Sequence, residues 1–486
     1  MGDTVLVLDS GTTSTRAIAF DLHGKVAAVC QKPLTQHYPR PGWVEHDAQE
    51  IWQRTFDCAR QVVDELGAER IAAIGITNQR ETVVAWDRER GEPLARAIVW
   101  QDRRSADFCD HLREDGCEDE VQRRTGLLLD PYFSGTKMRW LLDNEGQVRS
   151  AAEAGRLALG TVESWLVWKL SGGDHISDAS NASRTQLLAF DGAQFDDGLC
   201  DLFGVPRGAL PKVVDTLGPL AETRLFGHAI PITGLAGDQQ AATIGQGCFA
   251  HGETKATYGT GAFVLTNMGE NVPRSSNRLL GTVLMQRDGA RTYALEGSVF
   301  VAGSLIQWLR DSLGLISSAS ETEALARSVA DSGGVTIVPA LTGLGAPHWR
   351  TDARGTITGL SFATGKPQIA RAALEAMAHQ THDLARAFAA DGAPWQALRI
   401  DGGMSANDWM AQDLADMLEL TVERPDMVET TALGAGILAA VGAGLFGSLE
   451  DALAAMRGPV RTFTPAMDEG IRAERLGRWE RALDGV

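Results

Sequence analysis

Thr4-Val5-Leu6-Val7-Leu8-Asp9-Ser10-Gly11-Thr12-Thr13-Ser14-Thr15-Arg16-Ala17-Ile18-Ala19-Phe20-Asp21 holds two apolar runs around a turn of glycine and hydroxyl side chains. Short apolar runs bounded by Gly-bearing turns read as strands. A third run, Lys25–Gln31, follows the His23-Gly24 turn, so this end of the chain predicts an antiparallel meander. Next, Ile51, Thr55, Cys58, Ala59, Val62, Val63 and Leu66 share one stripe at helical spacing, and the run Ile71–Thr77 suits a buried strand. The order β-β-β-α-β predicts an α/β fold on a mixed sheet.

The pattern recurs past residue 250. Lys255–Tyr258, the turn Gly259-Thr260-Gly261 and Ala262–Asn267 form another strand–turn–strand unit. Thr282–Gln286 and Thr292–Leu295 flank Asp288-Gly289, a hairpin signal. A helix over Val299–Leu313 and a strand over Val335–Pro339 are predicted after it. Two halves of this kind predict an internal duplication with a cleft between the copies. A chain of 486 residues suits two sizeable domains. The glycine-rich stretch Gly245 to Gly252 divides them into 1–249 and 250–486.

Lys and Arg number 45 against 63 Asp and Glu, a net charge of −18. That field repels phosphodiester backbones and argues against nucleic acid as a partner. Six cysteines carry no CxxC pair, so neither a disulfide framework nor a zinc site is expected, and a reducing, cytoplasmic setting is. The start shows no basic or long apolar leader, and no signal peptide is expected. Thr430–Leu449 is uncharged over 20 residues, long enough to span a bilayer. Five glycines interrupt it and the mean hydropathy is −0.11, so a buried helix ending near Gly442–Gly447 is expected, not a membrane-embedded one.

Five segments carry candidate chemistry. The turn Asp9–Arg16 offers backbone N–H groups and hydroxyls to one point, which suits a phosphate; Asp9 could hold hydrated Mg²⁺ and Arg16 could offset anionic charge. Tyr258-Gly259-Thr260-Gly261-Ala262-Phe263 repeats that chemistry in the other half. Ile232–Gln240 places Asp238 at a strand-to-helix corner, as a base for a hydroxyl attacking phosphorus or as a helix cap. Asn78-Gln79-Arg80-Glu81 sets a donor fork beside an acceptor, fit for a vicinal diol or for a surface ion pair. Asp401–Asp408 joins a strand to two glycines, and Ser405-x-x-Asp408 resembles a capping box.

Other motifs mislead. No GxxxxGK[ST] is present, which excludes a P-loop fold. Gly434-Ala435-Gly436 matches a dinucleotide fingerprint by letter, but Pro425–Thr431 before it is not a clean strand, so close helix packing is the reading. His379 and His382 lie on a helical stretch (367–390) with no acid completing a metal set.

Taken in order, these segments resemble the FGGY carbohydrate kinases. Ala97–Arg103 (AIVWQDR), Asn181–Thr185 (NASRT), Gly237–Gln240 (GDQQ), Ile306–Arg310 (IQWLR) and Gly343–Pro347 (GLGAP) carry the likeness through nearly the whole chain. Pro41–Asp47 (PGWVEHD), Ile74–Thr82 (IGITNQRET) and Asp130–Lys137 (DPYFSGTK) are similar to the members that phosphorylate glycerol. The resemblance implies a two-domain actin-like ATPase fold, with ribonuclease H-like duplicated domains and an interdomain cleft. It implies ATP-dependent phosphorylation of glycerol to sn-glycerol 3-phosphate. Arg80, Glu81, Tyr132, Asp238 and Gln239 would hold the glycerol hydroxyls, with Trp100 and Phe263 along its carbons and Asp238 as general base. Thr12, Thr13, Ser14, Arg16 and Thr260 would meet the β/γ-phosphates, while Gly303, Gln307, Gly403 and Asn407 would contact the rest of the nucleotide. Asp9 and Asp238 would help place Mg²⁺, and a homodimer or homotetramer is expected.

The chain departs from the family before Asp238. Arg224–Pro231 lacks the Gly-Gly-Lys-Gly-Gly-type loop by which some members bind fructose 1,6-bisphosphate, and Arg224 stands where others have a phosphorylatable His. A kinase of another polyol or a ketopentose, an actin-like ATPase without a polyol site, and a nicotinamide oxidoreductase resting on Gly434 are the alternatives.

Overall fold

A computed structural model describes residues 2–350, 352–427 and 429–486; Val428, within Pro425–Thr431, lies outside them, as do Met1 and Thr351. The first half supplies β1 (Thr4–Ser10), β2 (Ser14–Asp21), β3 (Val26–Pro33), α1 (Ala48–Leu66), β4 (Ile71–Asn78), α2 (Ser134–Asn144), β5 (Leu217–Thr223), β6 (Ile230–Gly237) and α3 (Asp238–Gly245). Its six-stranded sheet runs β5-β6-β4-β1-β2-β3. β1, β2 and β3 pair antiparallel as the predicted meander, while β4 runs parallel to β1 and to β6. Asp47 starts α1 by accepting from the Gln49 and Glu50 amides, and the predicted stripe, from Ile51 to Val63, is its buried face.

The second half supplies β7 (Thr254–Tyr258), β8 (Ala262–Gly269), β9 (Leu280–Arg287), β10 (Ala290–Val299), α4 (Gly303–Asp311), α5 (Lys366–Ala390), β11 (Ala397–Asp401), α6 (Asp408–Leu418), β12 (Thr421–Pro425), α7 (Thr430–Gly442) and β13 (Val460–Phe463). Their sheet runs β9-β10-β8-β7-β11-β12-β13. β7, β8 and β10 pair antiparallel, and β11 lies parallel to β7 and to β12. This repeats the first sheet's pairing with one added edge strand, β9. The duplication expected from the two Gly-Thr turns is present in the topology.

Three expectations need correction. The helix placed over Val299–Leu313 begins at Gly303, because Val299 still pairs with Ala262 at the end of β10. The strand near Val335–Pro339 forms at Thr336–Val338 but pairs only with Thr356–Thr358. β11 takes the parallel place beside β7 instead, delivered by the 25-residue α5. Ser405 does not cap α6: Asn407 does, accepting from the Met410 amide, while the Ser405 hydroxyl turns back to the Gly402 carbonyl.

α7 is the buried helix read from the uncharged stretch. It lies in the second half of the chain, yet its apolar side chains join Val7, Ile18, Phe20 and Ala241 in one core. Gly434 permits this crossing. A Cβ there would sit 1.8 Å from the Ala241 carbonyl oxygen of α3, so the two helices meet backbone to backbone. His379 is likewise a core residue, stacked on Trp479 with ring centroids 5.3 Å apart. Among the described residues no helix is long and apolar enough to cross a membrane.

Candidate active site

The parallel strands of each sheet aim their carboxyl ends at one cleft. Asp9 of β1 registers with Thr77 of β4, and Gly237 of β6 with Asn78, so Gly11, Arg80 and Asp238 emerge from adjacent strands. In the other sheet Thr257 registers with Asp401, bringing Gly259 and Gly402 side by side. Open α/β sheets bind ligands beyond such strand ends. Gly402 has φ 86°, and a Cβ on it would lie 2.5 Å from the Tyr258 carbonyl oxygen, so only glycine lets the two turns touch.

Two cavities open at this junction. The smaller, about 170 Å³, is lined by Thr12, Arg80, Glu81, Trp100, Tyr132, Asp238, Gln239, Thr260, Gly261 and Phe263. All seven residues expected at a polyol are there. Trp100 stands edge-on to Tyr132 and Phe263, with ring centroids 5.7 and 6.2 Å apart. The larger, about 420 Å³, is lined by Gly303, Gln307, Gly403, Asn407 and Thr260, with Ile306, Leu374 and Met404 as an apolar bed. Thr260 belongs to both. The turns therefore meet as expected, through Thr12 on one side and Thr260 on the other. Trp100 Nε1 donates to Thr12 Oγ1 at 2.9 Å, and the Ala302 amide donates to the Thr260 carbonyl at 2.9 Å.

Other predicted residues lie elsewhere. Arg16 pairs with Asp9 across the β1–β2 register and with Glu429, so carboxylates hold its guanidinium and would compete with a phosphate. Ser14 Oγ accepts from Gln31, and Thr13 lends its carbonyl to the Leu34 amide. Neither side chain lines either cavity.

The Arg80–Glu81 pair is no surface ion pair: the residues are 3% and 1% exposed. Buried charges need partners, and the partners are ones the sequence reading missed. Glu296 of β10 accepts from Arg80 Nη1 at 2.6 Å and Nη2 at 3.0 Å, and from Arg184 Nη2 at 3.1 Å. Arg184 Nε donates to Glu81 at 2.6 Å. Burial pushes the Glu296 carboxyl up, but the guanidiniums of Arg184 and Arg80 outweigh it and hold it down at about 2. Lys255 is a further missed group, donating to Gln239 Oε1 at 2.5 Å. A lone Glu and a lone Lys inside apolar strand runs were the available signals.

Asp238 begins α3 with its carboxylate toward the small cavity, its Oδ1 accepting from the Gln239 amide at 2.7 Å and lying 3.4 Å from Arg80 Nε. The side chain is 31% exposed, on the cavity side. Burial raises its carboxyl to about 6, against the pull of Arg80. The group is thus ionised at neutral pH and close to the range where a base works best.

The chain is similar to known proteins along nearly its whole length. The N-terminal domain of the FGGY family of carbohydrate kinases matches residues 4–245 and its C-terminal domain residues 254–443. A glycerol kinase of Rhodospirillum rubrum is 53% identical, with 99% of this chain and 98% of that protein covered. One of Alcanivorax borkumensis is also 53% identical over the same shares. The crystal structure of Plasmodium falciparum glycerol kinase with ADP superposes with a TM-score of 0.93 at 33% identity, covering 100% of this chain and 98% of that one. A xylulose kinase of Rhodospirillum rubrum, at 24% identity and a TM-score of 0.87 over 99% and 98% of the two chains, shares the fold. With both domains matched and relatives of this identity along almost its entire length, this chain belongs to the FGGY family of carbohydrate kinases.

Proposed function

We propose that this chain transfers the terminal phosphoryl group of ATP to glycerol, forming sn-glycerol 3-phosphate and ADP. The observation that carries the reading is Thr260, shared by a small polar cavity and a larger, partly apolar one, with Asp238 on the wall of the first. A cavity of 170 Å³ is well below the roughly 300–1,000 Å³ of sites for drug-sized ligands. It suits a triol better than a ring sugar. Glycerol is neutral, so its affinity comes from hydrogen bonds to the charged Arg80–Glu81–Asp238 set, strengthened where water is excluded. Trp100 and Phe263 cover its carbon chain.

The larger cavity suits a nucleoside, with Gly303, Gln307, Gly403 and Asn407 around it, and its phosphates extend past Thr260 toward Thr12. Asp238 takes the proton from the attacking hydroxyl as its oxygen bonds to phosphorus and ADP departs. Among the described residues no three His, Cys, Asp or Glu side chains form a ready-made metal set. The Asp238 carboxylate would nonetheless offer a hard oxygen to hydrated Mg²⁺, and Asp9, which pairs with Arg16 and lines neither cavity, would reach the ion through water. Bound there, the ion would neutralise phosphate charge. We assign the polyol site and first phosphate turn to residues 1–249, the second turn and adenosine site to 250–486, and the protein to the cytoplasm as a homodimer or homotetramer.

ADP release with glycerol, dihydroxyacetone, xylulose or no acceptor tests the reading. Glycerol-dependent release supports it. Release that needs no acceptor, or that xylulose supports best, overturns it.

A further inference from the structure

We propose that Lys255 is a positioning residue that fixes Gln239 as a hydrogen-bond donor to the polyol and couples the polyol cavity to the nucleotide cavity. The inference rests on the reading of the smaller cavity as the glycerol site.

Lys255 lies in β7 and is wholly buried, yet its ammonium reaches across the junction between the two halves to Gln239 of α3. Nζ lies 2.5 Å from Gln239 Oε1 and 2.9 Å from Thr257 Oγ1. An ammonium has donors and no acceptor. It therefore fixes which end of the Gln239 amide carries the oxygen, and with it the placing of the NH₂ donors that can serve a ligand oxygen in the cavity that Gln239 lines. Burial, helped by repulsion from Arg80, lowers the ammonium to about 8 against the attraction of Asp401, Asp238 and Glu296, so it stays charged at neutral pH. A methionine of similar length would fill the space and leave the amide free to turn over.

Coupling follows from the strand. β7 runs from Lys255 directly into Gly259-Thr260, and Thr260 lines both cavities. A shift of this strand on nucleotide binding moves Nζ together with Thr260, and so moves the Gln239 amide. Such coupling must be reciprocal between the two ligands.

Calorimetric titration of glycerol into the full-length protein, with and without a non-hydrolysable ATP analogue, tests this. In the wild type the analogue should tighten glycerol by about fivefold or more, a typical coupling between sites. Lys255→Met should weaken glycerol about fivefold, the scale of one hydrogen bond between neutral groups, and bring the coupling factor close to one. It should leave binding of the analogue alone within about twofold, since Lys255 lines neither cavity. Gln239→Leu added to Lys255→Met should weaken glycerol little further, because both remove the same contact. If Lys255→Met fails to fold, Thr257→Val removes the second anchor of Nζ and should weaken glycerol and the coupling together. A wild-type coupling factor of one overturns the proposal, as does unchanged glycerol binding in the folded Lys255→Met or Thr257→Val protein. A wild type that binds the analogue but no glycerol sinks the functional reading instead.

Discussion

Replacing Asp238 by Asn keeps the side chain's shape and removes its charge and basicity. The carboxylate lines the small cavity, and burial has pushed it up to about 6. A positioned general base contributes roughly 10²–10⁴-fold, so kcat of Asp238→Asn should fall by that factor. The working form is the ionised one. In the wild type, kcat/KM should therefore be flat above about pH 6 and drop about tenfold per pH unit below it, to about a tenth at pH 5. Residual turnover of the variant should lose that acid limb.

Stability should move the other way. The folded-state pKa is raised, so between the ordinary Asp range and about 6 the folded chain binds more protons than the unfolded one, and stability rises as pH falls through that window. At neutral pH the ionised carboxylate is a cost, already net of the Arg80 attraction. Conversion at 1.36 kcal/mol per pKa unit, discounted because the side chain keeps 31% of its surface, gives on the order of 1–2 kcal/mol. Asp238→Asn should thus melt at or above the wild-type temperature at pH 7.5. ADP-release kinetics over pH 5–8 and a thermal melt measure both quantities. Turnover within tenfold of wild type, or a wild-type profile flat down to pH 5, would falsify the base assignment. A large drop in melting temperature would show that the carboxylate holds the fold together instead.

Glu296→Gln leaves two buried guanidiniums short of one negative charge and should destabilise by about 3 kcal/mol, seen as a lower urea midpoint, with weaker glycerol binding. Because this carboxyl is held down at about 2, its contribution is present above the ordinary Glu range and should fade only as pH falls toward 2. Gly434→Ala drives a methyl into the Ala241 backbone, so the melting temperature should fall by the equivalent of about 2 kcal/mol or more. An unchanged melt would show that the α3–α7 contact is slack. Iodoacetamide at pH 8 should label Cys117 first: Cys58 and Cys109 are pushed up to about 12, Cys200 and Cys248 to about 11, and all four are buried. Peptide mapping of the alkylated native protein checks the order.

Much of the fold was legible because its signals are local. Apolar runs of strand length, the Gly-Thr turns and the Asp288-Gly289 hairpin fix their own backbone, and each appears where expected. The stripe from Ile51 to Val63 likewise declares its buried face by spacing alone. Element partners were harder to read. Periodicity shows that Thr336–Val338 is extended but not which sheet it joins, and the segment 397–401 took the place expected of it.

The sequence by itself determined two like-built halves, each ending a strand in a hydroxyl-bearing turn, and the residue types that gather at the smaller cavity. Tertiary structure decided how their charges are satisfied. Arg80 and Glu296 stand 216 residues apart, Arg184 and Glu81 103, and Lys255 reaches a glutamine on another element. The same long-range pairing drew Arg16 to Asp9 and Glu429. Backbone conformation is set by near neighbours along the chain, whereas the partner of a buried charge is whatever the folded chain places within a few ångströms, and spacing along the sequence does not encode that.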